Sequence, residues 1–305
     1  MNLQSRSQWL GALLVILGAV GWGTLGIASS QLAAAGLSNT SVTGLRVVGT
    51  FICLLALLPF IYKVLKTLQF QDIPRLILQS LIGMLGMTFC YFNAVQYVGP
   101  AIAVALLYTA PIWSVILSSI FLKEPLTLKS VLLTIIAVSG VGCMMVGEHR
   151  LNLNGVLYGF ASGICYAIYG VMGKGIIERY SPSFLLFSSM MISAVAIVPF
   201  IEFQQIVAFK EQLNLATFSA CLMLIILGTL LPFALYTHGL KYLKASQASI
   251  YTIFEPLTAV ILATLFANAQ LSSIQIIGIV LIISVSLLNV AFSKASTNAE
   301  KIYTI

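Results

Sequence analysis

The sequence predicts an all-α integral membrane protein of ten transmembrane helices, arranged as two inverted five-helix repeats. Three observations predict it. Of the 305 residues, 60% are hydrophobic and 8% charged, and the mean hydropathy is +1.04, a balance foreign to soluble folds. The apolar residues recur in runs of about 20, the length that crosses a hydrocarbon core of roughly 30 Å. The third observation is an internal repeat. Spans are predicted at roughly 9–30, 41–62, 75–95, 100–121, 128–147, 154–175, 183–203, 216–240, 245–266 and 273–292. The connections are short, so function is expected among the helices.

The first span resembles a signal peptide, with Arg6 ahead of an apolar run and a small-residue "LAAAG" after it. The run is longer than an ordinary signal core, and the repeat gives it a partner, so it is read as a retained helix. Its Gly18, Gly21 and Gly23 allow close helix approach. The second span carries Arg46 near its outer end, where a long stem can snorkel to water or reach a substrate. The third carries Tyr91 and Asn93; the fourth carries Tyr108, Pro111 and Trp113. The fifth and tenth are predicted from apolar length. Gly155, Gly159 and Gly163 in the sixth permit tight packing but fix no oligomeric state. The seventh ends near Pro199, and the eighth carries Tyr236 and His238. His238 is read as hydrogen-bonded structure or as a gating and protonation group. The ninth contains the sequence "YTIFEP".

Twelve lysines and arginines fall on the face that includes the N-terminus, against Arg150 and Lys210 on the other. Positively charged loops resist translocation, which predicts a multi-pass protein with both termini cytoplasmic. The net charge of +7 is therefore a topological signal, and no basic stripe with interleaved aromatics points to nucleic acid. Cys53, Cys90, Cys143, Cys165 and Cys221 lack metal-type spacing and are read as small buried apolar side chains.

Shifting the chain by 145 residues brings Tyr91 over Tyr236, Tyr97 over Tyr242, Ala103 over Ala248 and Pro111 over Pro256. Slightly smaller shifts bring Trp22 over Tyr166 and Gly26 over Gly170. The units are 1–150 and 151–305. Because five is odd, the second unit enters from the opposite side, a construction found in many secondary transporters with the site near the midplane.

Pro111 and Pro256 each fall about 11 residues into their spans, near mid-membrane. A mid-helix proline leaves the carbonyl four residues back, on Leu107 or Thr252, without its usual donor, which lipid tolerates only beside protein or water. Both prolines are predicted as hinges. Glu255 shares that depth, where a carboxylate is costly and faces the interior. It is read as a partner for a substrate amine or as a proton-carrying group; a structural carboxyl bonded to a neighbouring helix is the plainer alternative. Trp22, Tyr108, Trp113, Tyr166, Tyr169, Tyr236 and Tyr251 lie away from the membrane edges, and their buried polar tips need partners.

"GAVGWGTLGIAS", "LRVV", "YFNAVQYVGPAIAVALLYTAPIWSVILSSIFLKEPLT" and "YTIFEPLTAVILATLF", in that order, resemble an EamA-type transporter of the drug/metabolite transporter superfamily. The resemblance covers nearly the whole chain. It implies ten helices in two EamA-like repeats, alternating access around a central cavity, and movement of small metabolites such as amino acids, commonly outward across the bacterial inner membrane. Carried across by position, it implies that Trp22, Tyr91, Asn93, Tyr108, Tyr166, Tyr236, Tyr251 and Glu255 line the cavity. The family pattern ends the fourth and ninth helices with glutamate. Glu124 fits this, whereas "FANAQ" does not.

The expected function is secondary transport of a small molecule through the lipid bilayer, with protons as a candidate coupling ion at Glu255 or His238. An amino acid, an amine or a planar drug all suit such a cavity. No nucleotide-binding loop, metal cluster or paired carboxylate is present in the sequence, so neither a cofactor nor an enzyme is expected. A receptor or scaffold that does not transport is the competing expectation.

Overall fold

The computed structural model describes residues 3–65, 68–144, 152–267 and, with gaps, 272–288. The first segment is α1 (Leu3–Gly23) and α2 (Leu25–Ala34), the second α3 (Asn39–Leu54) and α4 (Leu58–Leu65). The third runs from α5 (Ile73–Ile77) through a π-helical stretch, Leu78–Gly86, into α6 (Met87–Val98). Next come α7 (Pro100–Leu107), α8 (Ala110–Phe121) and α9 (Leu128–Met144). The later segments are α10 (Leu153–Ile177), α11 (Pro182–Ile197) and a short α12 (Phe203–Phe209). α13 (Leu215–Leu222) leads through a second π-helical stretch, Met223–Leu230, into α14 (Leu231–Leu240). α15 (Ala245–Tyr251) and α16 (Phe254–Ala267) follow.

Among the described residues, seven helical segments are long and apolar enough to cross a membrane: Arg6–Ala34, Asn39–Tyr62, Phe70–Val98, Ile102–Phe121, Leu153–Ile177, Pro182–Phe200 and Leu215–Leu240. Leu128–Cys143 and Ile276–Val285 are shorter apolar helices. The predicted tenth span lies only partly within the described residues. The short connection expected after the seventh span instead contains α12.

Local chemistry sets the element ends. Ser38, Asn152, Ser181 and Asn214 each accept a hydrogen bond from a first-turn backbone N–H, satisfying donors that a helix start leaves free. Gly99 turns the chain between α6 and α7 at φ 80°, a conformation glycine adopts without a Cβ clash, and Pro100 opens α7 where a missing N–H costs nothing.

The surface carries many large apolar side chains, and polar side chains are buried within a mainly apolar core. Phe70 is 88% exposed and Leu215 84%, whereas Gln79, Ser80 and Ser193 are 0% exposed. Several buried polar groups are satisfied within the bundle: Ser80 donates to the Leu76 carbonyl and Thr237 to that of Phe233, and the Gln79 carbonyl accepts from Ser189. An apolar surface with polar groups paired inside suits lipid. It makes the chain a multi-pass membrane protein.

The tightest packing joins the two halves of the chain. α1 lies along α14, where a β-carbon on Gly18 would stand 2.9 Å from the Pro232 carbonyl oxygen. α10 lies along α6 and the α7–α8 break. Gly11 abuts Tyr242 and Leu243 as Gly155 abuts Tyr97 and Val98, and these are positions the internal alignment pairs. The two π-helical stretches begin at Leu78 and Met223, also paired.

Two expectations are corrected here. Neither proline interrupts a continuous helix: the chain breaks first, at Tyr108–Thr109 and at Thr252–Ile253, so Pro111 and Pro256 lie in the first turns of α8 and α16. There the absent N–H has no intrahelical partner to lose, and the Thr252 carbonyl, expected to be orphaned, accepts from the Glu255 N–H at 3.0 Å. Nor are all five cysteines buried: Cys53 is exposed and Cys165 buried, the others being intermediate.

Candidate functional site

A cavity of about 300 Å³ opens among α1–α3, α6, α7, α10, α14 and α16. The break at Thr24 places Trp22 on its wall. The Thr24 hydroxyl turns back to the Gly21 carbonyl at 2.8 Å, and α2 continues with Leu25, Gly26 and Ser29 along the same wall. The break before α16 likewise presents Glu255 and Pro256, and α3 contributes Arg46. Thr88, Tyr91, Tyr108, Tyr166 and Tyr169 complete the polar contribution.

An aromatic layer closes one end. The Trp22 ring centroid lies 4.9 Å from Phe233, 5.5 Å from Tyr236 and 6.3 Å from Tyr166. Tyr169 meets Phe233 edge-on at 5.4 Å. Such offset and edge contacts hold rings rigidly.

Polar atoms on the cavity wall are short of partners. Trp22 Nε1, Arg46 Nε and the hydroxyls of Tyr108 and Tyr166 are buried without a hydrogen-bond partner within the protein. Most buried polar atoms are paired, so four orphans around one cavity mark it as a place for a polar guest. The Tyr108 hydroxyl lies toward Glu255 without completing a hydrogen bond. The Tyr166 hydroxyl lies toward Thr252, whose own hydroxyl is committed to the Ser249 carbonyl. Arg46 and Glu255 feel each other's charge but form no ion pair with each other.

The sequence expectations meet the cavity unevenly. Trp22, Tyr91, Tyr108, Tyr166, Glu255 and Pro256 line it. Asn93 does not; its amide donates to the Phe89 carbonyl at 2.9 Å, one turn back on its own helix. His238 is exposed, with Nδ1 2.8 Å from the Ala234 carbonyl oxygen, on a helix face away from the cavity. Tyr236, Tyr251 and Pro111 are buried but border no part of it. Arg46 was expected to snorkel outward and instead faces the interior. A charge inside an apolar span is itself a functional signal, and that signal was present in the sequence. Met84, Met87 and Phe233 carried no such mark.

A second cavity of about 590 Å³ lies near the α14–α15 connection, with Glu124, Lys129, Lys174, Glu178 and Lys244 on its walls. Among the described residues, none lines both cavities. Along α14, Phe233 reaches the first cavity and Tyr242, just past the helix end, the second; on the next segment Glu255 and Ile250 do the same. Tyr236 and Tyr251 therefore belong to the layer between them.

Polar ties close that end, those of Glu124 and Asp72 joining the two halves of the chain and that of Lys174 lying within the second. Glu124 accepts from the Ala245 N–H at 2.9 Å and from the Ser246 hydroxyl at 2.7 Å. Lys174 Nζ donates to the Leu240 carbonyl at 3.0 Å. Buried Asp72 accepts from Arg179 and from the Tyr180 hydroxyl, each at 2.8 Å. At the opposite end, Gln205 accepts from the Ser38 N–H at 2.8 Å and the Ser41 hydroxyl at 3.1 Å.

With this geometry in hand, known proteins are informative. A family model described as the EamA-like transporter family matches residues 9–146 and again 153–291. An uncharacterized transporter of Archaeoglobus fulgidus is 28% identical over 278 residues, covering 90% of this chain and 93% of its own. The threonine/homoserine exporter RhtA of Salmonella typhimurium is 24% identical over 247 residues, covering 81% of this chain and 80% of its own. A solved crystal structure superposes with a TM-score of 0.68 at 19% identity, covering 94% of this chain and 98% of that one. At that identity the likeness speaks for the fold.

Proposed function

Since the chain belongs to the EamA-like transporter family, we propose that it is a secondary transporter carrying a small metabolite across a bacterial inner membrane by alternating access. The observation that carries this reading is the central cavity, walled by unpaired polar atoms and closed at one end by an aromatic layer and the Glu124, Lys174 and Asp72 ties.

Ten transmembrane helices in two inverted repeats, 1–150 and 151–305, agree with the doubled family match. They agree too with the recurring contacts of Gly11 and Gly155 and the paired π-helical stretches. With both termini cytoplasmic, the tied end is cytoplasmic and the cavity faces outward. Rocking one half against the other would break the Glu124 and Asp72 ties and close the Gln205 end more tightly, the helix breaks before Pro111 and Pro256 serving as hinges. An amino acid or related compound as substrate, and export as direction, follow the exporter relative. Glu255 is the coupling candidate if a proton takes part, because it is the acidic residue on the cavity wall.

Counterflow of radiolabelled amino acids in proteoliposomes, with and without an imposed pH gradient, tests the reading. Saturable flux that depends on the protein supports it. Binding without flux under any gradient would replace it with a receptor or scaffold. Loss of gradient dependence in Glu255→Gln identifies the coupling group.

A further inference from the structure

We propose that the cavity recognises its substrate as a zwitterion, the Arg46 guanidinium taking the carboxylate and the Glu255 carboxylate taking the ammonium, while the apolar wall receives the side chain. This rests on the reading of the cavity as a transport site. It adds a recognition chemistry that selects among amino acids, amines and anions.

The argument begins with charge. Arg46 and Glu255 enter one cavity from α3 and α16, each with surface turned into it. Charges inside a membrane protein are costly unless paired. These two feel each other yet leave a gap between them. A guest with a single charge answers one of them and leaves the other as it was. A zwitterion answers both, because its dipole runs opposite to theirs, and the loaded cavity carries the same net charge as the empty one.

The donors agree with this division. An arginine fork matches a carboxylate in two parallel hydrogen bonds, and Arg46 Nε has no partner within the protein. Trp22 Nε1 is a second unpaired donor and can only donate, so it too suits an anionic oxygen. The Tyr108 hydroxyl, lying toward Glu255, can accept from an ammonium. The rest of the wall, from Met84, Met87, Phe92, Val104 and Leu107, offers no charge. Apolar side chains find their match there, and methionines adapt to several shapes.

The test uses full-length protein in nanodiscs and equilibrium binding of three probes: L-leucine, L-leucinamide and N-acetyl-L-leucine. Wild type is expected to bind leucine at least about tenfold more tightly than either singly charged analogue, since each leaves one buried charge unanswered. Arg46→Gln is expected to lose about tenfold or more for leucine while holding leucinamide within about threefold, and Glu255→Gln to do the mirror image with N-acetyl-leucine. The retained analogue doubles as evidence that each variant is folded. Arg46→Lys, which keeps charge but loses the fork, is expected to fall between. Equal wild-type affinity for all three probes, equal losses for all three in the variants, or no binding of leucine at millimolar concentration would each overturn the proposal. Zwitterion binding without flux would sink the transport reading and leave the recognition intact. Flux of single-charge compounds with no zwitterion preference would do the reverse.

Discussion

Gly23 and Glu255 meet backbone to backbone: a β-carbon on Gly23 would stand 2.8 Å from the Glu255 carbonyl oxygen and 2.6 Å from the Thr258 β-carbon. The absence of a side chain at the end of α1 therefore fixes how closely the carboxylate-bearing turn of α16 approaches Trp22. Gly23→Ala is expected to cost about 1–3 kcal/mol by overpacking and to lower flux several-fold. Thermal unfolding and proteoliposome flux measured together check it; unchanged values for both would show that the two helices separate without consequence.

Trp22 combines packing with an unpaired N–H. Trp22→Ala removes contacts to Phe233, Tyr236 and Tyr166 and is expected to destabilise by about 3–5 kcal/mol. Trp22→Phe keeps a ring and loses the donor. Its melting temperature is expected to stay near wild type while substrate affinity falls about tenfold, the scale of a lost hydrogen bond to a charged group. Equal affinity in Trp22→Phe would make the residue a packing element alone.

Glu124 ties the end of α8 to the start of α15 through two hydrogen bonds. Bonds to an ionised carboxylate contribute about 1.5–3 kcal/mol, so Glu124→Ala is expected to shift the balance toward the form open at that end by roughly ten- to a hundredfold. Spin labels at Lys123 and Lys241, in a background without the native cysteines, should show a longer distance population. A distribution identical to that of the parent would mean that the tie does not hold the gate.

Asp72 holds Arg179 and Tyr180 across the halves. Asp72→Ala is expected to cost about 1–3 kcal/mol, most of it from the Tyr180 hydroxyl, because the half-exposed Arg179 can return to water. Tyr180→Phe should cost less, about 1 kcal/mol. Denaturation in one detergent checks the order of the two.

His238 lies exposed on α14, away from the cavity. His238→Gln is therefore expected to leave flux and its pH profile within about twofold of wild type. A lost pH dependence would restore it as a protonation site, the role its place in an apolar span first suggested.

Much of the molecule was legible in its residues. Glu255 could be found because a carboxylate inside an apolar run is too costly to sit there facing lipid, and Trp22 with Tyr166 because the repeat paired them. Asn93 departs from what the family resemblance implied: it does not line the cavity, because a local bond to Phe89 holds its amide on its own helix. The prolines announced an interruption, but whether they bend a helix or begin one depends on whether the preceding residues keep their hydrogen bonds. Tyr108–Thr109 and Thr252–Ile253 do not continue the helix.

The sequence by itself determined that this chain lives in lipid, that its segments are helical, and that a carboxylate and two helix interruptions fall within apolar runs. Hydropathy, span length and proline chemistry are local properties, so they can be read one segment at a time. Only the tertiary structure decided that Arg46 and Glu255 line one cavity, that Tyr236 and Tyr251 lie in the layer beneath it, and that Glu124 ties the end beyond that layer. Those relations depend on the rotation of each helix about its axis. That rotation follows from which glycines meet which backbones, as Gly23 meets Glu255 and Gly18 meets Pro232, and such matching is a property of pairs of helices that no single segment encodes.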